Sequence, residues 1–172
     1  MAQRVDLFDL ETLQLRSGDG QRVDAEVRVD PVQLGGERYP VVGGAVPARL
    51  DVARTLGGYA LRLRFDALLE GPCMRCVGPA SPTISVDARE IDQPGEDDEL
   101  HSPYLDGGVL DLADWVREAL VLAMPAQIVC AADCRGLCPE CGVNLNEVDP
   151  EQHRHEAAGD PRWAKLRDLK LG

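Results

Sequence analysis

The chain has 172 residues, 44% apolar and 28% charged, enough for one domain with a proper core or a domain with a small appendage. Aromatics are only 4%, so the core must be aliphatic. The formal net charge of −12 argues against a general binder of phosphate backbones, which draws on clustered Lys and Arg, but it permits a basic protein partner or local RNA contact.

The opening MAQRVDLFDL has no apolar h-region and no cleavage site, so no signal peptide is expected. The longest apolar run is far short of a membrane span. A cytoplasmic location follows, where clustered thiols stay reduced and bind metal more often than they form disulfides.

Residues 23–30 alternate apolar and polar, the period of a half-buried strand, and Pro31 ends the run. Residues 46–56 and 59–69 read as two more strands. In the second, Tyr59, Leu61, Leu63 and Phe65 share a face, with Arg62, Arg64 and Asp66 opposite. Gly57-Gly58 between them suits a two-residue hairpin turn. Residues 83–91 alternate again, which puts Cys73-Met74-Arg75-Cys76 on a hairpin tip between Gly71-Pro72 and Gly78-Pro79. Residues 92–108 carry Asp92, Glu96, Asp97, Asp98, Glu99 and Asp106 with no Lys or Arg, and read as a solvated acidic loop. Residues 111–124 predict a helix. Asp111 caps it, Leu112, Trp115, Val116, Ala119, Leu120 and Ala123 form its apolar stripe, and Pro125 stops it. A short final helix should open at Asp160-Pro161, with Arg162, Lys165, Arg167 and Lys170 making it the most basic stretch.

The chemistry lies in the cysteines and histidines. Cys73-x-x-Cys76 is one pair. Cys130, Cys134, Cys138 and Cys141 form a second cluster, followed by His153-x-His155. A structural zinc takes four thiolate or imidazole ligands in a closed tetrahedron, so six cysteines and two histidines suffice for two ions. The C-x-x-C spacing lets the chain turn around a metal while backbone N–H groups point at the sulfurs. Pro139 pre-sets that turn and Gly142 can take a positive φ after it. A thioredoxin-like redox pair would need a strand-to-helix start that neither C-x-x-C has. The grouping we favour is Cys73, Cys76, Cys130 and Cys134 around one ion, and Cys138, Cys141, His153 and His155 around the other. Two rivals stay open: a ribbon joining Cys73/Cys76 to Cys138/Cys141, or Cys130, Cys134, Cys138 and Cys141 around one ion. His101 is left over. No H-E-x-x-H helix, deaminase signature, G-x-S-x-G or P-loop is present, so no catalytic or cofactor-binding residue is assigned.

Several of these segments resemble the bacterial YceD family, described as large ribosomal RNA subunit accumulation proteins. The resemblance rests on Cys73-Met74-Arg75-Cys76, the helix 111–124 with its terminal Pro125, and Cys134-Arg135-Gly136-Leu137-Cys138-Pro139-Glu140-Cys141-Gly142 with Asn144-Leu145-Asn146 after it. The ending Asp160-Pro161-Arg162-Trp163-Ala164-Lys165-Leu166 adds to it. The likeness covers about residues 45–170 in order. Many relatives place C-x-C where this chain has His153-x-His155, and imidazole can replace thiolate at zinc. Some relatives lack most of the second cluster, so the resemblance implies metal that supports the fold. It also implies a role in synthesis, processing or stability of 23S rRNA. The partners would be a ribosomal precursor, ribosomal or assembly proteins, or rRNA, with no membrane.

The expected fold is α+β: an antiparallel sheet, with barrel-like closure an option, one packed helix, and a zinc-binding appendage. Residues 1–125 form the β part and 126–172 the appendage. The expected function is a non-enzymatic ribosome biogenesis factor with two structural zinc ions. The competing readings are a thiol redox protein using Cys73 and Cys76, and a zinc-ribbon nucleic-acid binder.

Overall fold

The computed structural model describes residues 3–93 and 100–155. The strands in chain order are β1 (Gln3–Arg4), β2 (Leu7–Asp9), β3 (Gly20–Arg28), β4 (Val32–Leu34), β5 (Glu37–Tyr39), β6 (Ala45–Arg54) and β7 (Tyr59–Leu68). Then come β8 (Gly71–Pro72), β9 (Pro79–Ala80), β10 (Thr83–Asp92), β11 (Leu105–Asp106), β12 (Val109–Asp111) and the helix α1 (Leu112–Ala123). The alternating runs read from the sequence became β3, β6, β7 and β10. They lie in one five-stranded sheet in the order β1-β3-β6-β7-β10, antiparallel except for the β1–β3 pair.

The period-2 pattern sorts this sheet into two faces. Val27, Leu50, Leu63 and Val86 point inward and are buried. Helix α1 covers that inner face, packing against β10 and β3. It does so with Leu112, Trp115, Val116, Ala119 and Leu120. Asp111 caps α1 as expected, its side chain accepting the Asp114 N–H at 2.9 Å. The outer face is a lattice of opposite charges. Asp51 accepts from both Arg22 and Arg64, Asp87 from Arg62, and Asp24 from Arg49.

Three expectations need correction. The sheet is open: β1 and β10 are its edges and do not pair, so there is no barrel. The helix supplies the apolar cover that closure would otherwise have provided. Gly57-Gly58 is not a two-residue turn either. Arg54 pairs with Tyr59, so the loop is residues 55–58, and neither glycine has a positive φ. Gly58 is required for another reason: a Cβ there would lie 1.8 Å from the Asp92 carbonyl oxygen. Finally, the described part of 92–108 is only partly a solvated loop: Gln93, Leu100, His101, Pro103, Asp106 and Gly107 are exposed, but the segment is anchored. Asp92, Ser102 and Tyr104 are buried, Tyr104 stacks on Trp115 with ring centroids 6.0 Å apart, and β11 and β12 form a small sheet with β2. The final helix expected from Asp160 lies outside the described residues.

Two further contacts position the cysteines. Tyr39 is fully buried and donates its hydroxyl to the Pro72 carbonyl at 2.9 Å, fixing β8 just before Cys73. Met74 donates its N–H to the Ile128 carbonyl at 2.8 Å, and Ile128 is buried in the same core as the strands. The chain after the helix is thereby drawn back against the Cys73–Cys76 turn.

Candidate metal centres

The two C-x-x-C segments fold into the same turn. In the first, the Cys73 N–H bonds the Gly78 carbonyl at 2.7 Å and the Val77 N–H bonds the Cys73 carbonyl at 2.9 Å. In the second, the Cys138 N–H bonds the Val143 carbonyl at 2.8 Å and the Gly142 N–H bonds the Cys138 carbonyl at 2.9 Å. The residue after the second cysteine is left-handed in both, Val77 at φ 61 and Gly142 at φ 74. Glycine suits that conformation. Valine, with a branched Cβ, is strained in it.

These turns go to different clusters. Cys73, Cys76, Cys130 and Cys134 place their sulfurs within 4.8 Å of one another, and Cys138, Cys141, His153 and His155 do the same with sulfur and ring nitrogen. Neither rival grouping forms, and His101 instead sits 3.6 Å from the Asp92 carboxylate. In the first cluster the sulfurs of Cys73 and Cys134 are 3.7 Å apart and those of Cys76 and Cys130 3.6 Å. A zinc–sulfur bond of about 2.3 Å makes the edge of a regular tetrahedron about 3.8 Å, so these spacings fit one ion. They are far too long for a disulfide. In the second cluster Cys138 Sγ lies 3.3 Å from His155 Nε2, Cys141 Sγ 3.7 Å from His153 Nε2, and the two Nε2 atoms 3.0 Å apart. Mixed sulfur–nitrogen edges of about 3.6 Å are what zinc at ordinary bond lengths requires.

The electrostatics of both clusters are compatible with a cation. Burial pushes the Cys73 thiol up, but N–H groups in the backbone around Cys76, Arg75 and Cys130 outweigh it and bring it down to about 6. Cys130, against the sulfurs of Cys134 and Cys76, is pushed up to about 12. Hydrogen bonding with His153, aided by the backbone at Cys141 and Glu140, lowers Cys138 to about 6. Sulfurs this close cannot all ionise without a positive charge among them, and a divalent ion removes that conflict.

Three supporting residues lie in the segments that carry the family resemblance, where no sequence signal assigned them a role at the clusters. Glu140 Oε2 lies 3.3 Å from His155 Nδ1, which orients the ring so that Nε2 faces the sulfurs. Asn146 Nδ2 donates to Cys134 Sγ at 3.4 Å. Arg135 donates its N–H to Asn146 Oδ1 at 2.7 Å, holding that amide in place. Glu140 sits between Cys138 and Cys141, a position that suggests a supporting role. Asn146 stands in the Asn144-Leu145-Asn146 segment of the resemblance, but no spacing tied it to the Cys134 sulfur.

The two centres differ in cover. Cys73, Cys76 and Cys134 belong to the apolar core and Cys130 is exposed. In the second, only Cys138 is buried. Each set is complete with four protein donors, the number typical of structural zinc, whereas a catalytic zinc usually keeps a position open.

Fold and site together define an α+β protein with two Cys/His clusters, each able to hold a metal ion. The chain belongs to the YceD family: the model described as "Large ribosomal RNA subunit accumulation protein YceD" matches residues 61–170, which include all eight clustered side chains. An uncharacterised protein of Mycobacterium tuberculosis is 36% identical over 148 residues, covering 81% of this chain and 69% of its own. A relative in Mycobacterium bovis gives the same figures. The maize protein named large ribosomal RNA subunit accumulation protein YCED homolog 1, chloroplastic, is 27% identical over 171 residues, 75% of this chain and 57% of its own. No solved structure matches.

Proposed function

We propose that this protein is a non-enzymatic ribosome biogenesis factor. It supports synthesis, processing or stability of 23S rRNA and carries two structural zinc ions. The observation that carries this reading is the family match over residues 61–170. The ligands are Cys73, Cys76, Cys130 and Cys134 for one ion, and Cys138, Cys141, His153 and His155 for the other. Two four-donor clusters at tetrahedral spacing support that assignment. Residues 1–125 then act as the scaffold and contribute Cys73 and Cys76, and 126–172 form the appendage that supplies the other six ligands.

With a net charge of −12, the surface favours a basic ribosomal or assembly protein at least as much as RNA. The outer sheet face supports this too, because Arg22, Arg49, Arg62 and Arg64 are already matched by aspartates. Six free cysteines suit a reducing compartment, and we place the protein in the cytoplasm. No helix among the described residues is long and apolar enough to cross a membrane.

Depleting the protein and measuring 23S against 16S rRNA tests the role. The ratio should fall, and an unchanged ratio refutes the reading. Native mass spectrometry of the reduced chain tests the metal, with two zinc ions expected.

A further inference from the structure

The two clusters are not independent structures. Residues 134–137 join them and are fastened to the first C-x-x-C turn, the Leu137 N–H bonding the Arg75 carbonyl at 3.1 Å. Gly136, at φ +78, permits that approach, since a Cβ there would stand 3.0 Å from the Arg75 carbonyl oxygen. Residues 144–146 return antiparallel to this linker after the second C-x-x-C turn. Leu137 bridges Asn144, and the Leu145 N–H bonds the Gly136 carbonyl at 2.9 Å.

At the end of that return stands Asn146. Its Oδ1 accepts the Arg135 N–H at 2.7 Å, so Nδ2 must face away from Arg135. Nδ2 donates both to Asn144 Oδ1 at 2.8 Å and to Cys134 Sγ at 3.4 Å. A residue held by the hairpin of one centre thus serves a sulfur of the other. A hydrogen bond donated to a ligand sulfur is strongest when that sulfur is a thiolate, the form that metal stabilises.

We propose that Asn146 is a positioning residue shared by the two centres, and that through it and the 134–146 hairpin, filling either centre with zinc tightens the other. This rests on the zinc reading of both clusters. Zinc at Cys73, Cys76, Cys130 and Cys134 fixes Cys134, and with it Arg135 and the Asn146 amide. Those contacts set the two hairpin strands between which Cys138 and Cys141 are presented. By linkage, zinc at the second centre must favour the first by the same factor.

The test uses the full reduced chain loaded with zinc and challenged with increasing chelator. Native mass spectrometry counts the ions retained, and alkylation followed by peptide mapping shows which cysteines become free. Asn146→Asp keeps the oxygen that Arg135 uses and replaces the donor to sulfur with an acceptor. Both centres should then release zinc at a chelator concentration lower by about tenfold or more, the effect of losing one hydrogen bond to a charged group. The far-ultraviolet strand signal should be unchanged. Cys138→Ser combined with Cys141→Ser removes only the second centre, and should weaken zinc retention at the first by about tenfold through the same contacts. If Asn146→Asp loosens the first centre alone, or the double serine variant leaves the first centre unchanged, the coupling is overturned while the zinc reading stands. If the wild-type chain holds no zinc, both fall.

Discussion

Val77→Gly is expected to stabilise the protein, although it removes a side chain. Val77 follows the second cysteine of its turn with φ 61, where the equivalent position of the other turn is Gly142 at φ 74. A left-handed conformation costs an L-residue about 1–2 kcal/mol, and a branched Cβ belongs at the upper end. Glycine gives back about 0.5–1 kcal/mol through its greater freedom in the unfolded chain. Val77 is 68% exposed, so little burial is lost. The net gain is about 1–1.5 kcal/mol, which for a chain of this size raises Tm by about 2–6 °C. Thermal unfolding of the zinc-loaded chain by circular dichroism measures it, with Gly142→Val as the opposing control. The control should lower Tm by at least a similar amount. A fall in Tm on Val77→Gly, or no change on Gly142→Val, refutes the assignment of strain to this position.

Chelation should loosen residues 130–155 while leaving the main sheet standing, because β3, β6, β7 and β10 carry their own apolar face under α1. Complete loss of strand signal with chelator would contradict that. Gly71→Ala should cost about 1–3 kcal/mol by overpacking, since its Cβ would come within 2.4 Å of the buried Tyr39 ring. A denaturant midpoint equal to wild type would show that the ring can move aside. Leu120→Ala, at a fully buried site on α1, should cost about 2–5 kcal/mol in the same assay, and a value below that range would mean α1 is dispensable to the core. Asp51 titrates below the ordinary carboxylate range because Arg22 hydrogen-bonds it, with Arg64 helping and burial opposing. Its contribution is therefore complete above the unfolded value of about 3.9 and disappears as pH falls through the lower folded value. The stability advantage of wild type over Asp51→Asn should shrink in that acid window, and an advantage that grows there would refute it.

How much could be read in advance differs by segment. The strands β6, β7 and β10 were legible because one face is buried and one is not, which writes a period of two into the residues. The helix was legible from Asp111, its apolar stripe and Pro125. The role of residues 100–106 was hidden, because the acidic composition around them masks Tyr104, whose burial depends on Trp115 arriving from the helix. Gly58 was recognised as special for the wrong cause: its constraint is the Asp92 backbone, which is distant in sequence and reaches it only through the pairing of β10 with β7.

By itself, the sequence determined the kinds of parts: alternating strands, one capped helix, two metal-type turns and a set of eight soft donors. The strands, the helix and the turns each depend on residues within a few positions of one another. Only the tertiary structure decided how the parts combine. Cys73 meets Cys134 across 61 residues, which happens because β8 and Ile128 hold the two segments on the same core. The partition of the eight donors, the open sheet and the reach of Asn146 between the two centres all follow from such long-range placement. No local spacing encodes them.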